Sequence, residues 1–364
     1  MNHRLGLLVM LLTLVVLVVV GCGKKHSDSP GTSTLPGAAP TLAAGTTPGS
    51  TSTQNTSTTP GAGSLQKIRI GTGPSTCLAP LFVAKEKGFF AKEGLDAELI
   101  SQEFDVQKDA LATGKIDAAM GLLDKWLKPL EQGMNAKFTA GVHFGCLKLL
   151  VPANSPIKTV QDLKGKKIGV PVIGDGPTTW VSRILVTQKL NPRKDVSWRS
   201  FPQPELTLAL ERGEIDAIGL ADPLAELDVR SGKERTLVNQ ATDAPWNTQY
   251  CCLVLLNGKL AQHDPKTAAA ITRAILNATN WVREHPDESA KIEIAGNYVP
   301  SKNAQLITDL LRSYNYTPSV EGGYKAVLNS AKQCKVAGIL DDSTDPVKLA
   351  NTVFLRLPGL EEYK

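Results

Sequence analysis

The sequence predicts an α/β protein of two lobes, and three observations carry that prediction. A nine-residue unit occurs twice, at Ala110–Ala118 (ALATGKIDA) and at Ala209–Ala217 (ALERGEIDA), with six of nine positions identical. Each copy reads as a helix end, a glycine stop and a short buried strand, because glycine takes the left-handed conformation past a helix end that other residues resist. Two continuous apolar stretches, Leu147–Pro152 and Tyr250–Leu256, suit strands that cross between the lobes. Everything after the second stretch has helical patterning. Two similar α/β units joined by two strands leave a cleft that can hinge closed on a small molecule.

The N-terminus is of another kind. His3 and Arg4 precede a nearly unbroken apolar run, Leu5–Val20, which ends in Val19-Val20-Gly21-Cys22. The run is short of the roughly 20 residues that span a bilayer comfortably, so it suits an export signal. Its ending resembles a bacterial lipobox, in which the chain is cut before the cysteine and that cysteine, here Cys22, is lipidated. Residues 23–64 are rich in Ser, Thr, Gly, Pro and Ala and cannot bury enough apolar surface to offset their ordering entropy. They form a tether with a reach of roughly 35 Å as a flexible coil. The expected organisation is therefore a signal peptide over 1–22, a linker over 23–64, the first part of lobe one over 65–152, lobe two over 153–249, and the return strand with the C-terminal helices of lobe one over 250–364.

Composition narrows the function. The first 64 residues hold Arg4, Lys24, Lys25 and Asp28, so of the whole chain's +5 the folded part keeps about +3. No basic block is interleaved with aromatics, which argues against nucleic-acid binding. Of six cysteines, Cys22 goes to lipid, and an odd five remain: Cys77, Cys146, Cys251, Cys252 and Cys334. No Cys-x-x-Cys or His-x-x-x-His spacing is present, so neither a structural zinc site nor any cofactor is expected.

Along the folded part, Lys67–Thr72 alternates as a first strand, and a turn leads to a helix from Cys77 to Lys87 stopped by Gly88. Leu95–Ile100, Ala118–Met120 and Lys137–Val142 read as strands, with helices at Val106–Ala112 and Leu123–Gln132. In lobe two, strands fall at Lys167–Val170, Val196–Phe201 and Ala217–Leu220. Helices fall at Thr179–Gln188, Pro204–Arg212 and Pro223–Ser231, with a short capped turn at Val160–Gly165. The C-terminal helices are Pro265–Glu284, Pro286–Ile294, Lys302–Ser313, Tyr324–Val336 and Pro346–Leu355.

Three segments carry a family likeness: Val83-Ala84-Lys85-Glu86-Lys87-Gly88-Phe89-Phe90 with Glu93-Gly94-Leu95; Thr159–Val170 (TVQDLKGKKIGV); and Ile215-Asp216-Ala217 with Asp222-Pro223. Together, and in order over 66–340, they resemble the solute-binding proteins of ATP-binding-cassette importers, in the group that handles nitrate, sulfonates, taurine and thiamine-precursor pyrimidines. The resemblance implies a type II periplasmic-binding-protein fold with two hinge strands and a helical C-terminal extension. It implies a monomer outside the cytoplasm, held to the membrane by its lipid, that delivers a small solute to permease and ATPase subunits. A ligand-sensing module of a receptor would have the same fold.

Ligands of open α/β sheets sit beyond the carboxyl ends of the strands, which selects two loops. Ser75, Thr76 and Cys77 follow the first strand; Asp175, Thr178, Thr179 and Trp180 lie in the corresponding loop of lobe two. Their hydroxyls and free N–H groups suit an anion, and the same hydroxyls suit simple helix capping. Trp126, Trp180 and Trp246 fall in or beside cleft loops, as a stacking surface or as core. Asp124, Asp175 and Asp222 disfavour a bare anion and point to an amine or N–H donor on an organic solute, although Asp222 before Pro223 also reads as an N-cap. Tyr250 and Cys251 begin the return strand and join the candidate site. Cys77, Cys146, Cys251 and Cys252 fall at strand ends, with His143 three residues before Cys146. They read as small apolar groups, as a Cys77–Cys146 disulfide, or as a thiol-lined pocket for a soft metal or sulfur-bearing ligand. An enzyme would need His143 to activate Cys77 or Cys146. No Ser-His-Asp order, Gly-x-Ser-x-Gly elbow or His-Glu-x-x-His is present, and the reading is a binder with no catalytic residue.

Replacing Cys22 by alanine should remove the acylation point. Intact-mass measurement of the protein recovered from membranes is expected to show no lipid and a retained Leu5–Val20. Normal processing with added lipid in the variant would end the lipoprotein reading.

Overall fold

The computed structural model describes residues 64–363, so the apolar run, Cys22 and almost all of the linker lie outside the described residues. Among the described residues no helix is long and apolar enough to cross a membrane.

Ten strands form two five-stranded sheets. They are β1 (Gln66–Thr72), β2 (Leu95–Ser101), β3 (Ala118–Leu122), β4 (Ala136–Phe144), β5 (Leu147–Pro152), β6 (Lys167–Val170), β7 (Ser197–Ser200), β8 (Ala217–Ala221), β9 (Glu234–Asn239) and β10 (Tyr250–Asn257). The first sheet has the order β2-β1-β3-β10-β4 and the second β7-β6-β8-β5-β9. Each holds three parallel strands, then one antiparallel strand, then an outer strand. The antiparallel strand of the first sheet arrives late in the chain, as β10. That of the second, β5, comes before all its neighbours.

This order refines the expected boundary. Leu147–Pro152 is not shared between lobes and does not end lobe one at 152: it pairs with β8 and β9 inside the second sheet. Tyr250–Asn257 likewise lies wholly within the first sheet, between β3 and β4. The chain changes sheet at Gly145–Cys146 and again over residues 240–249. The reason is that both strands are buried on both faces, which a free hinge strand would not be.

The sequence repeat is a repeat of contacts. The Asp117 carboxylate accepts the backbone N–H of Arg69 at 2.7 Å, and its own N–H donates to the Arg69 carbonyl at 2.7 Å. Asp216 does the same to Lys167, with both bonds at 2.8 Å. In each half the aspartate therefore clamps the first parallel strand. The isoleucine before it packs over a glycine of that strand: a Cβ on Gly71 would lie 2.6 Å from Ile116 Cδ1, and one on Gly169 2.3 Å from Ile215 Cδ1. The glycine stops sit at φ +79° (Gly114) and +70° (Gly213), as the motif requires.

Four elements were not foreseen: the short helix Phe89–Lys92, the helical turn Trp246–Thr248, β9 and the helix Gly258–His263. β9 opens on Glu234 and Arg235 and is only partly buried, so it lacks an apolar period. The helix Gly258–His263 begins on a glycine and is started by the Asn257 side chain, which accepts from the N–H groups of Lys259 and Leu260. The remaining C-terminal helices fall where expected and cover the first sheet. Helix Pro265–Glu284 is the most deeply seated, with Ile271, Ala274, Ile275, Ala278 and Val282 buried and Thr272 bonded to Thr139 of β4 at 3.1 Å.

Gly169→Ala should overpack this junction and lower stability by about 1–3 kcal/mol, seen as a lower urea midpoint. Adding Ile215→Val to that variant should recover part of the loss. An unchanged midpoint in the single variant would contradict the packing described.

Candidate functional site

A cavity of about 130 Å³ opens beyond the strand ends between the two sheets. Thr72, Gly73, Ser75 and Cys77 line it from the β1 loop, Met120 to Leu122 from β3, Lys125 from the following helix, Cys146 from the first crossing, and Ala221 from β8. The serine joins the two halves: Ser75 Oγ donates to the Asp222 carbonyl at 3.5 Å and lies 3.3 Å from Cys77 Sγ. At roughly 30 Å³ per water the space equals about four waters, enough for a solute of a few heavy atoms.

The structure brings Ser75, Cys77 and Cys146 to this cavity and gives most other candidates internal partners. Asp124 takes a bidentate pair from Arg183 Nη1 at 2.9 and 2.8 Å and accepts from Ser330. Arg183 also donates to Gln333 and Gln249, each at 2.7 Å. Asp124 belongs to the first half and Arg183 to the second, so the pair is a buried tie between them. Asp222 is neither a free acceptor nor a cap. Lys148 Nζ donates to both its oxygens at 2.6 and 2.7 Å, Tyr314 donates at 3.1 Å, and the helix that follows is capped by Pro223. Burial pushes the Asp222 carboxyl up while Lys148 pulls it back.

The second loop is not an open anion site. Asp175 is the N-cap of helix Gly176–Thr187 and accepts from the Thr178 N–H at 2.9 Å and its hydroxyl at 3.0 Å, so a carboxylate already occupies that helix start. Thr178 and Thr179 are buried in the helix. Thr76 is buried, and its hydroxyl finds no partner among the described residues. The aromatic surface is also corrected. Trp126 packs edge-on to Phe104 at 4.9 Å, and Trp180 and Trp246 meet edge-on at 6.0 Å, all three buried in core rather than facing the cavity. Tyr250 is buried and donates to the Thr317 carbonyl, away from the cavity lining.

The cysteines converge. Cys146 and Cys251 sulfurs are 3.5 Å apart, and those of Cys77 and Cys252 are 3.9 Å apart. His143 Nδ1 lies 3.5 Å from Cys251 Sγ. All are free thiols, so the Cys77–Cys146 disulfide is not formed. Burial pushes Cys251 and Cys252 up, whereas hydrogen bonds from Cys146, Cys252 and His143 hold the Cys77 thiol well below its ordinary value.

Polar residues of the lining were missed, among them Gln102 and Lys125. Lys125 lines the cavity and has no hydrogen bond or ion pair among the described residues; its ammonium sits 4.3 Å over the Phe104 ring. Burial lowers its pKa, with Cys252, Cys77 and Asp175 opposing the shift. The signal was present, since Lys125 sits between Asp124 and Trp126, in the first turn of the helix after the repeat strand.

The model of the NMT1-like family matches residues 61–296, more than half of the chain. The nitrate/nitrite binding protein NrtA of Nostoc sp. is 28% identical over 257 residues, which is 62% of this chain and 56% of that protein. This chain thus spans little more than half the length of that relative. A putative aliphatic sulfonates-binding protein of Bacillus subtilis is 29% identical over 62% of this chain and 68% of its own length. Among solved structures, the alkanesulfonate-binding protein SsuA of Xanthomonas axonopodis pv. citri, bound to MOPS, aligns with a TM-score of 0.65 at 20% identity over 80% of this chain and 98% of its own. The nitrate-binding protein NrtA of Synechocystis aligns with a TM-score of 0.64 at 19% identity, over 80% and 86%. These structural likenesses establish the two-sheet fold.

If the aspartates are internal, their removal should cost stability in proportion to what they leave behind. Asp222→Ala leaves the buried Lys148 charge with Glu226, at 3.4 Å, as its remaining carboxylate partner and should cost about 3–5 kcal/mol. Asp175→Ala removes a cap and should cost about 1 kcal/mol. Chemical denaturation of both variants checks the ranking, and equal costs would contradict it.

Proposed function

The chain belongs to the NMT1-like family, and on that premise we propose that it is the solute-binding lipoprotein of an ATP-binding-cassette importer. It hangs outside the cytoplasm from the lipid on Cys22, acts as a monomer, and delivers its solute to permease and ATPase subunits. Its solute is a small organic anion of sulfonate or taurine type, held between the two sheets. Among its relatives are proteins named for binding nitrate, sulfonates and bicarbonate and one named a putative thiamine biosynthesis protein, and no catalytic role is proposed.

The observation that carries this reading is Lys125. It is a cavity-lining ammonium with no carboxylate in ion-pair contact among the described residues. A charge in a half-buried cavity needs a counter-charge to offset its desolvation, and a solute anion supplies it. The aspartates that argued for an amine-bearing solute are already held by Arg183, Lys148 and the helix start. The small volume selects a compact solute. Ser75 and Gln102, beside Lys125 in the lining, supply polar contacts for its oxygens.

Titration calorimetry against taurine, short alkanesulfonates, nitrate and aminopyrimidines tests the reading. A sulfonate is expected to bind, with a smaller radius of gyration in scattering. Lys125→Met should weaken it by about 1.5–3 kcal/mol, roughly 10- to 100-fold. Preferred binding of an aminopyrimidine, unaffected by Lys125→Met, would overturn the anion assignment.

A further inference from the structure

Beneath the cavity, Cys77, His143 and Cys252 place three ligand atoms within 4.8 Å of one another, and Cys146, Cys251 and Cys252 do the same. The two triads share Cys252. We propose that this cluster is a four-coordinate site for one thiophilic d10 metal ion, zinc(II) or copper(I), with Cys252 as the ligand common to either choice of partners.

Three observations carry the assignment. The first is distance. A disulfide needs about 2.05 Å between sulfurs, whereas the edge of a thiolate tetrahedron with metal–sulfur bonds of about 2.3 Å is roughly 3.8 Å. The sulfur pairs here lie at 3.5 and 3.9 Å.

The second is backbone. Neighbouring residues of a strand point to opposite faces, yet Cys251 and Cys252 both reach the cluster. The register of β10 against β4 shifts on each side of Cys252, between Tyr250 and Cys252 and again between Cys252 and Leu253. Such bulges re-aim side chains at functional sites. Packing two small apolar groups would not need this irregularity.

The third is an unsatisfied donor set. His143 is fully buried, and its Nε2 finds no hydrogen-bond partner among the described residues. Around it, the hydroxyl of Thr76, next to Cys77 in the chain, and that of Tyr316, whose ring is 5.1 Å from the imidazole, are also without partners. A buried ring nitrogen facing nothing is costly, and a metal ion satisfies it.

Thiolate and imidazole donors select zinc and copper(I) over calcium or magnesium. Each thiol that binds gives its proton to solvent, so affinity falls with acid. Cys77 and Cys146 line the cavity as well as the cluster, which gives an ion its route in. The proposal does not depend on which solute Lys125 receives.

The test uses the full chain purified in detergent under reducing, anaerobic conditions, loaded with zinc(II) or copper(I) and then dialysed. Elemental analysis and native mass spectrometry should show one ion per chain, with four thiols protected from a thiol reagent only in the loaded protein or three thiols if His143 is a ligand. Cys252→Ser should lose the ion at least tenfold. Cys334→Ser should keep it, because Cys334 lies in another helix beside Ser330. Cys146→Ser serves as a second variant, with circular dichroism checking that each folds. Cobalt(II) loading should add thiolate charge-transfer bands that Cys252→Ser lacks. Retention of neither ion by the parent chain, an unchanged metal content in folded Cys252→Ser, or a parent chain two hydrogens lighter through a Cys146–Cys251 disulfide would each overturn the proposal. Sulfonate titration of Lys125→Met is a separate measurement, so failure of one reading leaves the other standing.

Discussion

The buried ion pair between Asp124 and Arg183 holds the two halves of this molecule in one arrangement. The guanidinium grips Asp124 on the helix after β3, Gln249 in the second crossing and Gln333 in helix Val320–Val336. A planar fork with five donors fits such a convergence, and lysine would not. Removing two charges from water is costly, so a pair like this does more to specify geometry than to add stability. Here the geometry it specifies is the closeness of Leu122 to Gly176, where a Cβ would lie 2.6 Å from Leu122 Cδ1.

The fold was legible because its period is local. Glycine stops, short apolar strands and the Ile-Asp-Ala unit are decided within ten residues, and the structure assigns each of them a contact. Asp117 and Asp216 clamp the first strand of each sheet, and Ile116 and Ile215 cover a glycine there. Where legibility failed, the information was not local. β9 becomes a strand because β5 is beside it, and the pairing of Lys148 with Asn239 cannot be read from either segment. The place where the chain changes sheet is likewise a property of neighbours.

The site was harder for the same reason. Being in a loop after a strand selected Ser75 and Cys77, which line the cavity. It misjudged Asp124, Asp175 and Asp222, because whether an aspartate faces a solute depends on whether a distant Arg183 or Lys148 reaches it first. The tryptophans were placed near the cleft in sequence, but their large apolar area is buried in core. Lys125 was passed over because a lysine between Asp124 and Trp126 reads as a solvated residue until its partners are found elsewhere. The cysteine cluster was visible as a coincidence of strand ends. Its convergence on Cys252 required the β10 bulge, which no residue type announces.

The late arrival of β10 bears on how the chain is made. Synthesis runs from the N-terminus, and β3 and β4 of the first sheet are complete by Phe144, but the strand that joins them does not exist until residues 250–257 emerge. Until then one edge of β3 and both edges of β4 are open, and an unpaired edge is a template for wrong partners. The second sheet has the opposite schedule: its antiparallel strand, β5, is made first and the other four follow. The younger half can therefore close on itself while the older half waits for its last strand. The first half therefore cannot lock before more than two thirds of the polypeptide has been released.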